Sequence, residues 1–83
     1  MKVSIITPEK SLYNGEASLV TVPSSQGPFT MLENHAPIVA ILEKGKVVVE
    51  NNGERKEFEV EGGFCEQHDN LVIICVEKLK VKS

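Results

Sequence analysis

Short runs of β-branched and apolar residues recur along the chain, and turn residues separate them. No window repeats apolar positions at i, i+3, i+4 and i+7 over three turns, so the pattern predicts strands and no helix. Strands are predicted at 3–6, 12–13 with 17–22, 29–32, 37–42, 46–50, 55–61, 64–67 and 71–76. Turn chemistry falls between them at Asn14-Gly15, Ser24-Ser25-Gln26-Gly27, Glu33-Asn34, Lys44-Gly45, Asn52-Gly53, Gly62-Gly63 and Asp69-Asn70. Many short strands so spaced indicate an all-β sandwich or barrel. No linker, repeat or low-complexity stretch interrupts them, so residues 1–83 are expected to form one domain, with 77–83 a short last strand or a frayed tail.

One hairpin can be set in register from the sequence. Asn52-Gly53 suits a two-residue type I′ turn, in which both positions need positive φ. Asn51 then pairs with Glu54. Lys46 faces Glu59, Val48 faces Glu57 and Glu50 faces Arg55 on one side; Val47 faces Phe58 and Val49 faces Lys56 on the other. Two opposite-charge pairs gather on one face and the largest apolar pair on the other, a result that a one-residue slip would destroy.

Two segments break the alternation. Ala36-Pro37-Ile38-Val39-Ala40-Ile41-Leu42 and Leu71-Val72-Ile73-Ile74-Cys75-Val76 are apolar at both parities. In a two-layer sandwich one face of a strand packs the core and the other meets water. A chain of 83 residues has no third layer to cover the second face. The excess therefore predicts a partner surface.

Composition narrows the chemistry. The net charge is −3, aromatics make up 5% of residues and there is no Trp, so a basic, aromatic nucleic-acid surface is disfavoured. The N-terminal stretch has no apolar core of a signal peptide, and the longest apolar run, 71–76, is far below the roughly 20 residues of a membrane helix. A cytosolic location, or one on a cytosolic membrane face, is expected. Cys65 and Cys75 fit free, buried thiols in a reducing compartment. A two-residue Asp69-Asn70 turn would set Cys65 opposite Ile74 and put the sulfurs on opposite faces, whereas a three-residue loop would not.

Catalytic constellations are missing from the sequence. His35 and His68 lack the close Cys/His spacing of a zinc site, and neither Cys has a nearby His to activate it. Ser24-Ser25-Gln26-Gly27 lacks the Gly-Lys-Ser/Thr ending of a phosphate loop. Glu57, Glu59 and Glu61 alternate on one strand face and read as a solvated surface. No catalytic, cofactor or metal residue is assigned.

The segment Pro23-Ser24-Ser25-Gln26-Gly27-Pro28-Phe29-Thr30-Met31-Leu32-Glu33-Asn34-His35-Ala36-Pro37-Ile38 is different in kind. Taken with Thr7-Pro8-Glu9, Gly15, Val20-Thr21-Val22, the Leu42 and Gly45 pair and Gly62-Gly63-Phe64, it resembles the epsilon subunit of the F-type ATP synthase, in its N-terminal β-sandwich domain. The resemblance runs from Met1 to about Val76 and rests on the set of motifs in order.

That resemblance implies a flattened two-sheet antiparallel β-sandwich in a bacterial central stalk. It would grip the gamma subunit, stand on the membrane c-ring and couple rotation to ATP synthesis without chemistry of its own, at the cytoplasmic face of the membrane. By position it implies gamma contacts at Thr7, His35 and Ala40, with Ile38 beside them, and c-ring contacts at Gln26, Gly27, Pro28 and Phe29. Departures from the family pattern are Pro28 where many relatives carry an acid, Thr30 for a common Gly and Glu33 for a common Pro. Relatives often continue into a helical hairpin that inhibits hydrolysis and in some bacteria binds ATP; with this sequence ending at Ser83, neither the brake nor ATP binding is expected. The rival reading is a biotinyl or lipoyl carrier with Lys44 as the modified residue, although Glu43-Lys44-Gly45-Lys46 lacks the usual neighbours of such a lysine.

Overall fold

A computed structural model describes residues 1–34 and 36–77; the expectations for His35 and for a tail at 78–83 lie outside the described residues. Nine strands follow one another among those described: β1 (Lys2–Ile6), β2 (Ser11–Glu16), β3 (Leu19–Ser24), β4 (Gly27–Leu32), β5 (Ile38–Leu42), β6 (Gly45–Asn51), β7 (Glu54–Val60), β8 (Gly63–His68) and β9 (Leu71–Val76). The hydrogen-bonded path runs β2-β1-β9-β8-β5-β3-β6-β7, with β4 on the outer side of β3. It folds over into two layers, β2-β1-β9-β8-β5 and β4-β3-β6-β7. The layers join where β5 touches β3 through the single pair Ser24↔Leu42. The expected sandwich of short strands is therefore the observed architecture, built as one curled sheet. Pairing is antiparallel except that β1 lies parallel to β9.

Parity decides the core. Val3 and Ile5 on β1, Val72, Ile74 and Val76 on β9, and Cys65 on β8 point inward to meet Val20 and Val22 of β3, Met31 of β4, Val47 and Val49 of β6 and Val60 of β7. Branched side chains suit this role, because their stiff χ1 packs well on a pleated surface. Tyr13 and Phe58 close one side edge-on, with ring centroids 6.2 Å apart.

The β6–β7 hairpin has the predicted register throughout, from Gly45↔Val60 to Asn51↔Glu54. Asn52 and Gly53 take φ of 52° and 82°, as a type I′ turn requires. On its outer face the charges pair partly on the diagonal. Lys46 Nζ reaches Glu57 at 3.3 Å rather than the facing Glu59, and Arg55 bridges Glu57 at 2.9 Å and Glu50 at 3.9 Å. Hydrogen bonds from Arg55 and then Lys46 hold the Glu57 carboxyl below its ordinary pKa.

The turn expected at Asn14-Gly15 is absent: both residues lie inside β2, opposite Ser4 and Val3. The Tyr13 ring folds across the bare Cα of Gly15, and its hydroxyl donates to the Glu16 carbonyl at 2.9 Å. The ladder with β1 runs on past this glycine to Ala17, whose N–H donates to the Met1 carbonyl at 2.8 Å, before the chain passes to β3. Glycine here serves a close approach of its own strand's aromatic ring, a use that its sequence neighbourhood does not distinguish from a turn.

Candidate docking surfaces

Successive registers fix where each candidate residue sits. Ser24 pairs with Leu42, Leu42 with Gly63, Gly63 with Val76, and Ile6 with Cys75, so these residues share one end of the molecule. The 24–27 turn, the 43–44 link and the 7–10 turn all lie at that end. Asn34 and the Asn52-Gly53 and Asp69-Asn70 turns lie at the other.

The four residues proposed for the ring stand together at the first end. Ser24 Oγ donates to the Gly27 carbonyl at 2.6 Å and accepts the Gln26 N–H at 3.3 Å, which ties the turn from within. Gly27 has φ +104°, in open space. Gln26 and Pro28 are exposed, whereas Phe29 is half-buried and packs on the core. The tip thus offers an amide and a proline ring, with the aromatic residue as its root.

Of the four residues assigned to gamma, the three that are described do not form one cluster. Ile38 and Ala40 point inward: they pair with Gln67 and Cys65, are half-buried and pack against the core. Thr7 lies at the first end. Its hydroxyl accepts the N–H groups of Glu9 at 3.2 Å and Lys10 at 3.1 Å, so the hydroxyl holds the 7–10 turn. His35 lies outside the described residues, and its neighbour Asn34 is stapled to the β8–β9 turn, with the Asn34 N–H donating to Asn70 Oδ1 at 2.7 Å.

The outward positions of the same strands carry a surface that the sequence did not resolve. Val39 and Ile41 are each 67% exposed and Phe64 is 46% exposed. Ile41 faces Phe64, Phe64 faces Cys75, and Cys75 faces Ile6, forming one apolar row across four strands. Beside that row an open groove of about 620 Å³ is lined by Ile6, Thr7, Ile41, Phe64, Cys75 and Glu77, among others. Apolar excess at both parities flagged these strands. Which parity faced out followed only from the pairing of β5 with β8, where Glu66 and His68 mark the solvent side.

The Asp69-Asn70 turn is the two-residue form, with φ of 51° and 60°. Cys65 accordingly pairs with Ile74 and lies in the core, whereas Cys75, expected to be buried as well, is only half-buried because its parity turns it to the outer face; both are free thiols. Burial pushes the Cys65 thiol above its ordinary pKa.

Comparisons with known proteins agree on one family. Residues 1–81 match the family described as ATP synthase, Delta/Epsilon chain, beta-sandwich domain. The ATP synthase epsilon chain of Leptospira borgpetersenii serovar Hardjo-bovis is 46% identical over 77 residues, covering 93% of this chain and 61% of that one. The ATP synthase epsilon chain of Caulobacter vibrioides is 40% identical over 63 residues, covering 76% and 73%. The chain thus spans about three-fifths of the length of the Leptospira relative. Its fold is similar to that of a chain in the Tetrahymena thermophila mitochondrial ATP synthase central stalk and c-ring structure, with a TM-score of 0.83 at 23% identity over 95% of this chain and 64% of that one. With its strands, its turns and nearly all of its length accounted for, this chain belongs to the ATP synthase delta/epsilon chain β-sandwich family.

Proposed function

We propose that the chain is a non-catalytic rotor component of a bacterial F-type ATP synthase, gripping the gamma subunit with one face and standing on the c-ring with one end. The observation that carries this reading is the exposed apolar face of β5, β8, β9 and β1 in a member of the epsilon family. An apolar patch of this kind is a partner surface in soluble proteins, and torque transfer needs a stiff body with two separate contacts. The sandwich offers both: the Gln26–Phe29 turn at one end, and the face beside it. Thr7 belongs to the gamma contact as part of the groove wall. His35 is proposed for the same partner by its position in the family pattern, and Ile38 and Ala40 contribute from beneath, by holding Val39 and Ile41 outward. The chain acts at the cytoplasmic face of the membrane and through the complex. The carrier alternative, with Lys44 in the link between β5 and β6, draws no support from the family match.

The test is calorimetric titration of the chain with the gamma subunit of the same organism. One-to-one binding is expected, lost on Ile41→Glu or Val39→Glu with the thermal unfolding midpoint unchanged. Ile38→Glu and Ala40→Glu would instead unfold the domain, since both side chains face the core. A well-folded chain that leaves gamma unbound overturns the reading.

A further inference from the structure

The outer face of the first layer can be laid out row by row from the registers. One row reads Ile6, Cys75, Phe64 and Ile41; the next reads Ser4, Ile73, Glu66 and Val39; the third holds Lys2, Leu71 and His68. Glu66 therefore sits inside the apolar face, between Ile73 on β9 and Val39 on β5, with Phe64 and His68 two positions away on its own strand. Its side chain is exposed, and among the described residues it forms no ion pair. Among the described residues, Lys2 is the basic group that shares this face, and it lies on β1, two strands over and one row down, while the His68 ring lies 3.4 Å from Asp69.

A carboxylate in that position is harmless while water reaches it. Once the face is covered, an unpaired carboxylate loses its hydration and gains nothing in return, so an apolar lid alone would be a poor occupant. A second copy of this chain is poorly suited as well, because a twofold contact centred on this face brings Glu66 against its own copy. A lipid surface offers the carboxylate no fixed partner. The requirement is met by a protein surface whose apolar patch frames a single cation. Arginine suits it best, since its fork matches a carboxylate and is weakly hydrated.

We infer that the partner docked on this face presents an Arg or Lys to Glu66 at the centre of an apolar contact, and that this pair fixes the register of docking. The inference rests on the rotor reading above, with gamma as the partner. Binding of the folded chain to the gamma subunit is measured by calorimetry at low and high salt for wild type, Ile41→Glu and Glu66→Gln. Both substitutions are at exposed positions, and unchanged thermal midpoints confirm folding. The expected result is that Ile41→Glu abolishes binding, while Glu66→Gln weakens it tenfold or more and flattens its salt dependence. Glu66→Lys should then bind a gamma variant in which one interface Arg or Lys has been changed to Glu. Loss of binding by Ile41→Glu, with Glu66→Gln as tight and as salt-sensitive as wild type, overturns the pairing and leaves the rotor reading standing. No binding by wild type removes both, and a wild-type dimer abolished by Ile41→Glu assigns the face to a second copy instead.

Discussion

At the residue scale, Gln67 is the departure from an otherwise apolar interior. It is 1% exposed on the inner side of β8, and neither its Nε2 nor its Oε1 finds a partner among the described residues. A buried amide without hydrogen bonds costs about 1–3 kcal/mol. Gln67→Leu, of similar volume, should therefore raise the unfolding free energy by about 1–2 kcal/mol, read as a higher urea midpoint at unchanged slope; a lower midpoint would mean that the amide is bonded in solution. Cys65 gives a second prediction. Its folded pKa is raised by burial, so the native state holds the proton after the unfolded state has released it. Its contribution is complete below the unfolded thiol pKa of about 8.5 and is lost as pH rises through the folded value. Stability should fall as pH rises from about 8.5 toward the folded value, and Cys65→Val should flatten that part of the slope. An identical alkaline slope in the variant would show that the thiol is not responsible.

At the scale of elements, two glycines separate conformational need from packing need. Gly53, at the tip of the β6–β7 hairpin, has positive φ and open space around the missing Cβ. Gly53→Ala should cost only the left-handed backbone, about 1–2 kcal/mol. Gly63, at the start of β8, has φ +146°, and a Cβ there would run into the Cys75 carbonyl and the Val76 backbone across the β8–β9 pair. Gly63→Ala combines strain with a clash against backbone that cannot give way, and about 2–5 kcal/mol is expected. Equal costs in chemical denaturation would refute that distinction. The same glycine lines the groove beside Ile41 and Phe64, so a destabilised Gly63 variant would also reshape the proposed docking face.

At the scale of the whole molecule, the parallel pairing of β1 with β9 dominates. It joins Lys2 to Leu71 and Ile6 to Cys75, closing the first layer through contacts about as distant in sequence as this chain permits. Such non-local pairing places the fold among all-β domains that fold in milliseconds to seconds. Stopped-flow refolding is expected in that range, and microsecond folding would contradict a sheet assembled by these long closures. The same closure sets Ile6 beside Cys75 and so completes the apolar row from residues near the two ends of the described chain. One strand pair thus serves both the closure of the layer and the apolar row.

The sequence by itself determined the β class, the β6–β7 register and, once its hairpin was taken as two residues, the placement of the Cys65 and Cys75 sulfurs on opposite faces. These are local matters, settled by turn residues with positive φ and by side chains alternating with period two. It also marked the strands around Ile38 and Ile73 as carrying more apolar surface than one core can use. Which half of that surface stays outside was decided by tertiary structure. Ile38 and Ala40 differ from Val39 and Ile41 only by parity, and parity acquires a direction when β5 pairs with β8 and the curled sheet closes over one side. Asn14-Gly15 was misread as a turn for the same reason: β1 and the Tyr13 ring, rather than the dipeptide, settle what that glycine does. The placement of Glu66 within the apolar face likewise required β9, β8 and β5 to lie side by side: Ile73 faces it across the local β8–β9 hairpin, but Val39 is distant in sequence and arrives only when β5 pairs with β8.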